Sequence, residues 1–300
     1  MIDYTFRYDP SNGPSSPQPG TAEEARQTLM AGNRSFSEWM KSCRAADGEH
    51  KQFVTNASGL SSILSSEAHE FPTQKPFAVV VGCSDARVPT EMLFGQGFND
   101  LFVVRNAGNV LGEVAMGSID FTLLALRDSV RVIVSLGHTN CGAVKGAVKA
   151  YLNPGSFWST DYSPELRAIF QEIFVAVRES DNMLREVWGP SAATMPGYED
   201  ALIECAVCLN AAHTALAIQQ EVEETGHKGI DVLYGVYDVR VHQVCMPTLP
   251  YERSNADHVN LAHAPRRPEE LAALAREIVT AFKPGNAAAP TGAVACGPHR

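Results

Sequence analysis

The chain has 300 residues, of which 45% are hydrophobic and 19% charged, and its net charge is −10. That size and apolar content can bury a large core and fit a soluble globular enzyme. The acidic balance excludes nucleic acid as an expected partner, because phosphate binding needs a basic face, and the densest basic pair, Arg266-Arg267, is followed by Glu269-Glu270.

Residues 1–20 are polar and rich in Pro, Ser and Gly, which predicts a disordered arm. The arm lacks the charged n-region and apolar core of a secretory signal. No apolar run is expected to reach the ~20 residues that span a bilayer. A cytoplasmic chain with no membrane partner is therefore expected. Thr21 is placed to cap a helix from Ala22 to about Trp39, with Glu24 completing a capping box. The stretch 41–72 is polar and carries no clear period.

An apolar strand at 77–82 follows, then a second at 101–105 and a helix near 113–127. A third strand spans 130–136 and leads into a helix starting near Cys141. Helices at 164–187 and 199–223, a strand at 230–238 and a closing helix at 268–282 complete the pattern. Residues 283–300 read as a flexible tail. Apolar strands alternating with helices predict one α/β domain over 21–282: a mostly parallel central β-sheet flanked by helices, preceded by an N-terminal helical arm.

Seven cysteines, an odd number, argue for reduced thiols or metal ligands rather than a disulfide framework. Cys83, His138 and Cys141 each fall at the carboxyl end of a predicted strand, where ligands sit in open α/β sheets. Two thiolates and an imidazole can hold a zinc ion and leave its fourth position open, which separates a catalytic zinc from a structural one. Asp85 and Arg87 stand beside the first of these cysteines.

Three competing readings are weaker. A phosphatase-like loop wants Arg six positions after its Cys, and Pro89 occupies that place. Gly95-Gln96-Gly97 lacks the third glycine of a dinucleotide loop, Asp100 standing there instead. Cys205-Ala206-Val207-Cys208 and His242-Gln243-Val244-Cys245 could form a closed Cys₃His site. However, the first pair is in phase with Ala201, Ala212 and Ala215 on the core face of a helix, where thiols pack.

Several ordered motifs resemble those of the β-class carbonic anhydrases. They are Ala-Gly-Asn-Arg (31–34), Cys-Ser-Asp-Ala-Arg-Val-Pro (83–89), Asp-Leu-Phe-Val-Val-Arg-Asn-Ala-Gly-Asn (100–109), Gly-His-Thr-Asn-Cys-Gly-Ala-Val-Lys-Gly (137–146) and Gly-Val-Tyr-Asp (235–238). The likeness runs from near Ala22 to about Val244, and 155–195 is its least familiar stretch.

The resemblance implies one Zn2+ per subunit on Cys83, His138 and Cys141, and reversible hydration of CO2 to bicarbonate and a proton. It implies an Asp85–Arg87 ion pair whose carboxylate faces a water on the metal, a substrate-binding Gln74 that often acts across a subunit interface, and a substrate contact at Gly142. It also implies a homodimer or larger homo-oligomer. Val80 stands where a regulated branch of the family carries Trp, so no inhibitory bicarbonate pocket is expected. The alternatives are a COS/CS2 hydrolase on the same scaffold and a non-enzymatic zinc- or bicarbonate-binding protein.

Overall fold

A computed structural model describes residues 2–7, 18–45, 51–56, 63–64, 71–158, 162–245 and 261–283. The first strand, β1 (Ile2–Arg7), precedes helix α1 (Ala22–Ala45) and pairs in parallel with β2 (Lys51–Asn56). β1 corrects the expectation of disorder for that part of the arm. Ile2, Tyr4 and Phe6 alternate with Asp3, Thr5 and Arg7, the two-residue period of a strand. The rest of the arm, 8–17, and the tail, 284–300, lie outside the described residues. α1 begins as its capping box dictates: the Glu24 amide donates to Thr21 Oγ1 at 3.2 Å, and the Thr21 amide donates back to Glu24 Oε2 at 3.2 Å.

The core elements follow as β3 (Ala78–Cys83), the short α2 (Thr90–Leu93), β4 (Leu101–Asn106), α3 (Glu113–Ala125) and β5 (Val132–His138). After them come α4 (Gly142–Leu152), α5 (Pro154–Phe157), α6 (Pro164–Trp188), α7 (Tyr198–Glu224), β6 (Asp231–Asp238), β7 (Gln243–Cys245), β8 (Ala262–His263) and α8 (Pro268–Ala281). Strands β4, β3, β5 and β6 pair in that order and are all parallel, while β7 and β8 add antiparallel to β6. The fold is therefore the α/β architecture expected. The two short edge strands are additions that no period announces.

Alternation along the strands divides the core into two faces. Ala78, Val80, Val132, Val134 and Leu136 share a cluster with Leu29 and Phe36 of α1. Val79, Val81 and Ile133 point the other way, onto Ile119 and Leu123 of α3 and Ala211 and Ala215 of α7. α7 passes a length-and-composition test for a membrane span, with mean hydropathy 1.6, contrary to the expectation that no run would. Yet 89% of that window is buried inside the protein: it is the core helix that both sheet and outer helices pack against.

The register matters for function. Gly82 of β3 stands opposite Leu136 of β5, so the chain leaves both strands at the same edge of the sheet. One close approach locks α1 to that edge. A Cβ on Gly32 would lie 1.7 Å from the Phe94 carbonyl oxygen, and Asn33 next to it donates to the Leu93 carbonyl and accepts from the Val244 amide at 2.8 Å. Backbone cannot give way as a side chain can. Gly32→Ala is expected to cost about 3 kcal/mol or more, measured as a lowered denaturant midpoint. An unchanged midpoint would contradict the packing described.

Candidate metal centre

Cys83 ends β3, His138 ends β5, and Cys141 is the residue before α4. A turn closed by Asn140, with φ of 59°, brings the last two together. Asparagine tolerates this left-handed conformation better than most residues. The two sulfurs and one imidazole nitrogen lie within 4.8 Å of one another, and all three residues are buried. Among the described residues, no other group of three or more His, Cys, Asp or Glu meets as closely.

The imidazole is oriented. His138 Nδ1 lies 3.0 Å from the Thr139 carbonyl oxygen, to which it can only donate, and this assigns the proton to Nδ1. Nε2 is then a bare acceptor, buried and without a hydrogen-bond partner. A buried orphan of this kind costs stability unless something fills it. A soft divalent cation fits the donor set of two sulfurs and one nitrogen, and zinc matches it best.

The sulfurs are prepared for the same role. The Gly108 amide donates to Cys83 Sγ at 3.3 Å. Gly108 has φ of 78°, and a Cβ there would meet the Ile173 side chain at 2.9 Å, so only glycine serves. The Cys141 thiol above all, helped by this amide, holds Cys83 well below the ordinary thiol range against the opposing effect of burial. The hydrogen bond to Cys83, with burial, holds Cys141 above that range. A cation bound by both sulfurs would take them as thiolates.

Asp85 and Arg87 form the expected fork. Arg87 Nε donates to Asp85 Oδ1 at 2.9 Å and Nη2 donates to Oδ2 at 2.6 Å, while the Arg87 amide adds 2.8 Å to Oδ1. Asp85 Oδ2 lies 3.8 Å from His138 Nε2, on the side where the cation would sit. The guanidinium holds the Asp85 carboxyl down at about 2. Because the folded value is depressed, the contribution of this pair to stability is complete above the ordinary Asp range near 4 and is lost as pH falls toward 2. Activity measured between pH 5 and 9 is accordingly expected to show no step from Asp85. A step near pH 4–5 that disappears in Asp85→Asn would contradict that assignment.

Arg105 and Gly108 act here without having been singled out. Arg105 Nε donates to the Cys83 carbonyl at 3.0 Å and Nη2 to the Asp85 carbonyl at 2.8 Å, clamping the loop between ligand and fork. Both lie in the motif 100–109, and an arginine ending an apolar strand is the signal that could have found the first.

Gly142 is the first residue of α4, and a Cβ there would meet nothing within 4 Å. Gln74 is not brought to the cluster. It lies in the exposed coil before the start of β3, whereas Cys83 ends that strand. The competing Cys₃His set also fails to assemble. Cys205 and Cys208 are buried within α7, where desolvation pushes both thiols up. His242 bonds Tyr237 Oη at 3.0 Å, and Cys245 is disulfide-bonded, so the expectation of reduced thiols gives way there.

A family profile described as carbonic anhydrase matches residues 78–243, more than half of the chain, and includes every ligand named above. This chain belongs to the β-carbonic anhydrase family. It is 51% identical over 77 residues to a carbonic anhydrase of Mycolicibacterium smegmatis, a match covering 26% of this chain and 36% of that protein. It is 48% identical over 83 residues to carbonic anhydrase 2 of Mycobacterium tuberculosis, covering 28% and 39%. The chain thus spans less than two fifths of the length of these two relatives. Among solved structures, the β-carbonic anhydrase CafA of Aspergillus fumigatus is similar over 70% of this chain and 84% of its own, at 24% identity and a TM-score of 0.46.

Proposed function

We propose that this chain is a zinc enzyme that hydrates CO2 reversibly to bicarbonate and a proton. One observation carries the reading: the unpartnered, buried His138 Nε2 meets two cysteine sulfurs at 3.8 Å from a carboxylate held in an arginine fork. Cys83, His138 and Cys141 would hold the metal. Zinc supplies Lewis acidity that brings the pKa of a coordinated water toward ~7.

The remaining work belongs to the chain. Arg87 keeps Asp85 ionised and fixes its plane, so Oδ2 presents a lone pair toward the metal position. That oxygen would accept a hydrogen bond from a water held there and would orient it toward the substrate carbon. The side chain of Asp85 is 18% exposed, which leaves bulk water within reach for proton release. Gly142, at the first turn of α4, offers an amide with no partner inside the helix, placed to receive a developing oxyanion. A scaffold or regulator would have no use for the fork.

Gln74 supports a homo-oligomer. Its place at the far end of β3 from Cys83 means that it serves a neighbouring subunit's site or none. α3 adds exposed apolar residues, Val114 at 87% and Leu124 at 80%, of the kind that interfaces cover. A dimer or larger assembly is expected by light scattering at micromolar concentration, and a monomer would contradict it. CO2 and bicarbonate are its small-molecule partners on this reading.

The test is stopped-flow CO2 hydration beside COS hydrolysis on zinc-loaded protein. Rapid CO2 hydration with slower COS turnover is expected. Negligible CO2 hydration with active COS hydrolysis would move the assignment to the alternative hydrolase.

A further inference from the structure

Asn210 and Thr214, one turn apart on α7, are buried polar side chains in a helix whose other buried positions are mostly apolar. Both reach the same short turn. Asn210 Nδ2 donates to the Gly108 carbonyl at 2.8 Å and to Asn109 Oδ1 at 3.4 Å. Thr214 Oγ1 donates to the Asn109 carbonyl at 3.3 Å. A buried carbonyl without a donor is costly, which explains why a core helix carries these two groups.

The turn they hold is the one that touches a metal ligand. Gly108 donates its amide to Cys83 Sγ at 3.3 Å and gives its carbonyl to Asn210, so each side of this residue is bonded to a different element. Asn109 lies in the left-handed region with φ of 46°, a conformation that persists where neighbours hold it. Asn106 Nδ2 donates to the Val110 carbonyl at 2.8 Å. That bond ties the ends of the turn together, and Asn210 sets which way Gly108 faces.

α7 is itself seated at this edge of the sheet. A Cβ on Gly137, the residue before His138, would stand 3.3 Å from both the Val207 carbonyl oxygen and the Ala211 Cβ. Asn210 is the neighbour of Ala211, so one stretch of one helix meets both the end of β5 and the turn after β4.

On the zinc reading above, we propose that Asn210 is a positioning residue of the metal centre: its bond to the Gly108 carbonyl aims the Gly108 amide at Cys83 Sγ. An N–H aimed at a thiolate stabilises its charge and fixes the lone pair left for the metal. Groups that orient ligands in this way typically govern metal affinity by 10–100-fold.

The test reads zinc affinity by competition with a chromophoric chelator, and sulfur-to-metal charge-transfer absorption after cobalt is substituted. Asn210→Leu keeps the shape of the side chain and removes its donor. Thr214→Val removes a bond to the same turn but leaves Gly108 held. Asn210→Leu is expected to bind zinc about tenfold more weakly and to shift the charge-transfer band, with Thr214→Val within about threefold of wild type and its band unmoved. Asn210→Ser, whose hydroxyl is too short to reach Gly108, should match Asn210→Leu and replaces it where the larger side chain prevents folding. Wild-type affinity with an unmoved band in a folded Asn210 variant, or equal weakening in Thr214→Val, would overturn the proposal. Wild type that takes up no zinc at all would instead overturn the underlying metal assignment.

Discussion

Cys141→Ala is expected to lose zinc and activity together. Complete protein zinc sites are worth on the order of 10 kcal/mol at neutral pH, so one of three protein donors accounts for about 3 kcal/mol, or about two decades of affinity. The loss has a second part. Without the Cys141 thiol, Cys83 loses the largest of the influences that hold it as a thiolate and keeps weaker ones, the Gly108 and Asp85 amides among them. The remaining pair of ligands is thus both fewer and less charged. Metal analysis after gel filtration against a mild chelator should find the variant nearly empty and its CO2 hydration at the uncatalysed rate. A variant that keeps a full complement of zinc would show that the metal sits elsewhere.

Asp85→Ala should separate what Cys141→Ala joins. Asp85 lies 3.8 Å from His138 Nε2 and is bonded to Arg87, so its removal takes away no ligand atom. Zinc content should stay at one per chain, while turnover falls by about 100-fold, within the usual range for a lost proton-handling or orienting group. The Arg87 guanidinium, left without its carboxylate, would also place an unneutralised positive charge at the mouth of the site. Full activity with full zinc would remove Asp85 from the chemistry and return the fork to a surface ion pair.

Much of this site is written in local sequence. Cys83 and His138 end largely apolar runs, and parallel strands in register carry such ends to one edge. The capping box of α1 and the core phase of Cys205 and Cys208 are likewise local patterns. What escaped depends on tertiary partners. Asn210 is notable only once its side chain is seen to hold the Gly108 carbonyl, and Gly108 only once its amide reaches Cys83 Sγ. β7 and β8 have three and two residues, too few to show a period, and exist because β6 has a free edge. Gln74 was matched by position to a substrate contact, yet strand direction carries it away from its own chain's cluster.

The arrangement also accounts for how a site with two thiolates is kept open. A cation held by Cys83, His138 and Cys141 would have Asp85, 3.8 Å from His138 Nε2, beside it rather than another sulfur or imidazole, and Arg87 together with Arg105 holds the loop that carries that carboxylate. The central claim is therefore an open Cys₂His zinc site. X-ray absorption at the zinc edge of the purified protein tests it directly. The account predicts one zinc per chain with two sulfurs at about 2.3 Å and light N/O donors at about 2.0–2.1 Å. Four sulfur donors, or no zinc in a chain that hydrates CO2, would contradict it.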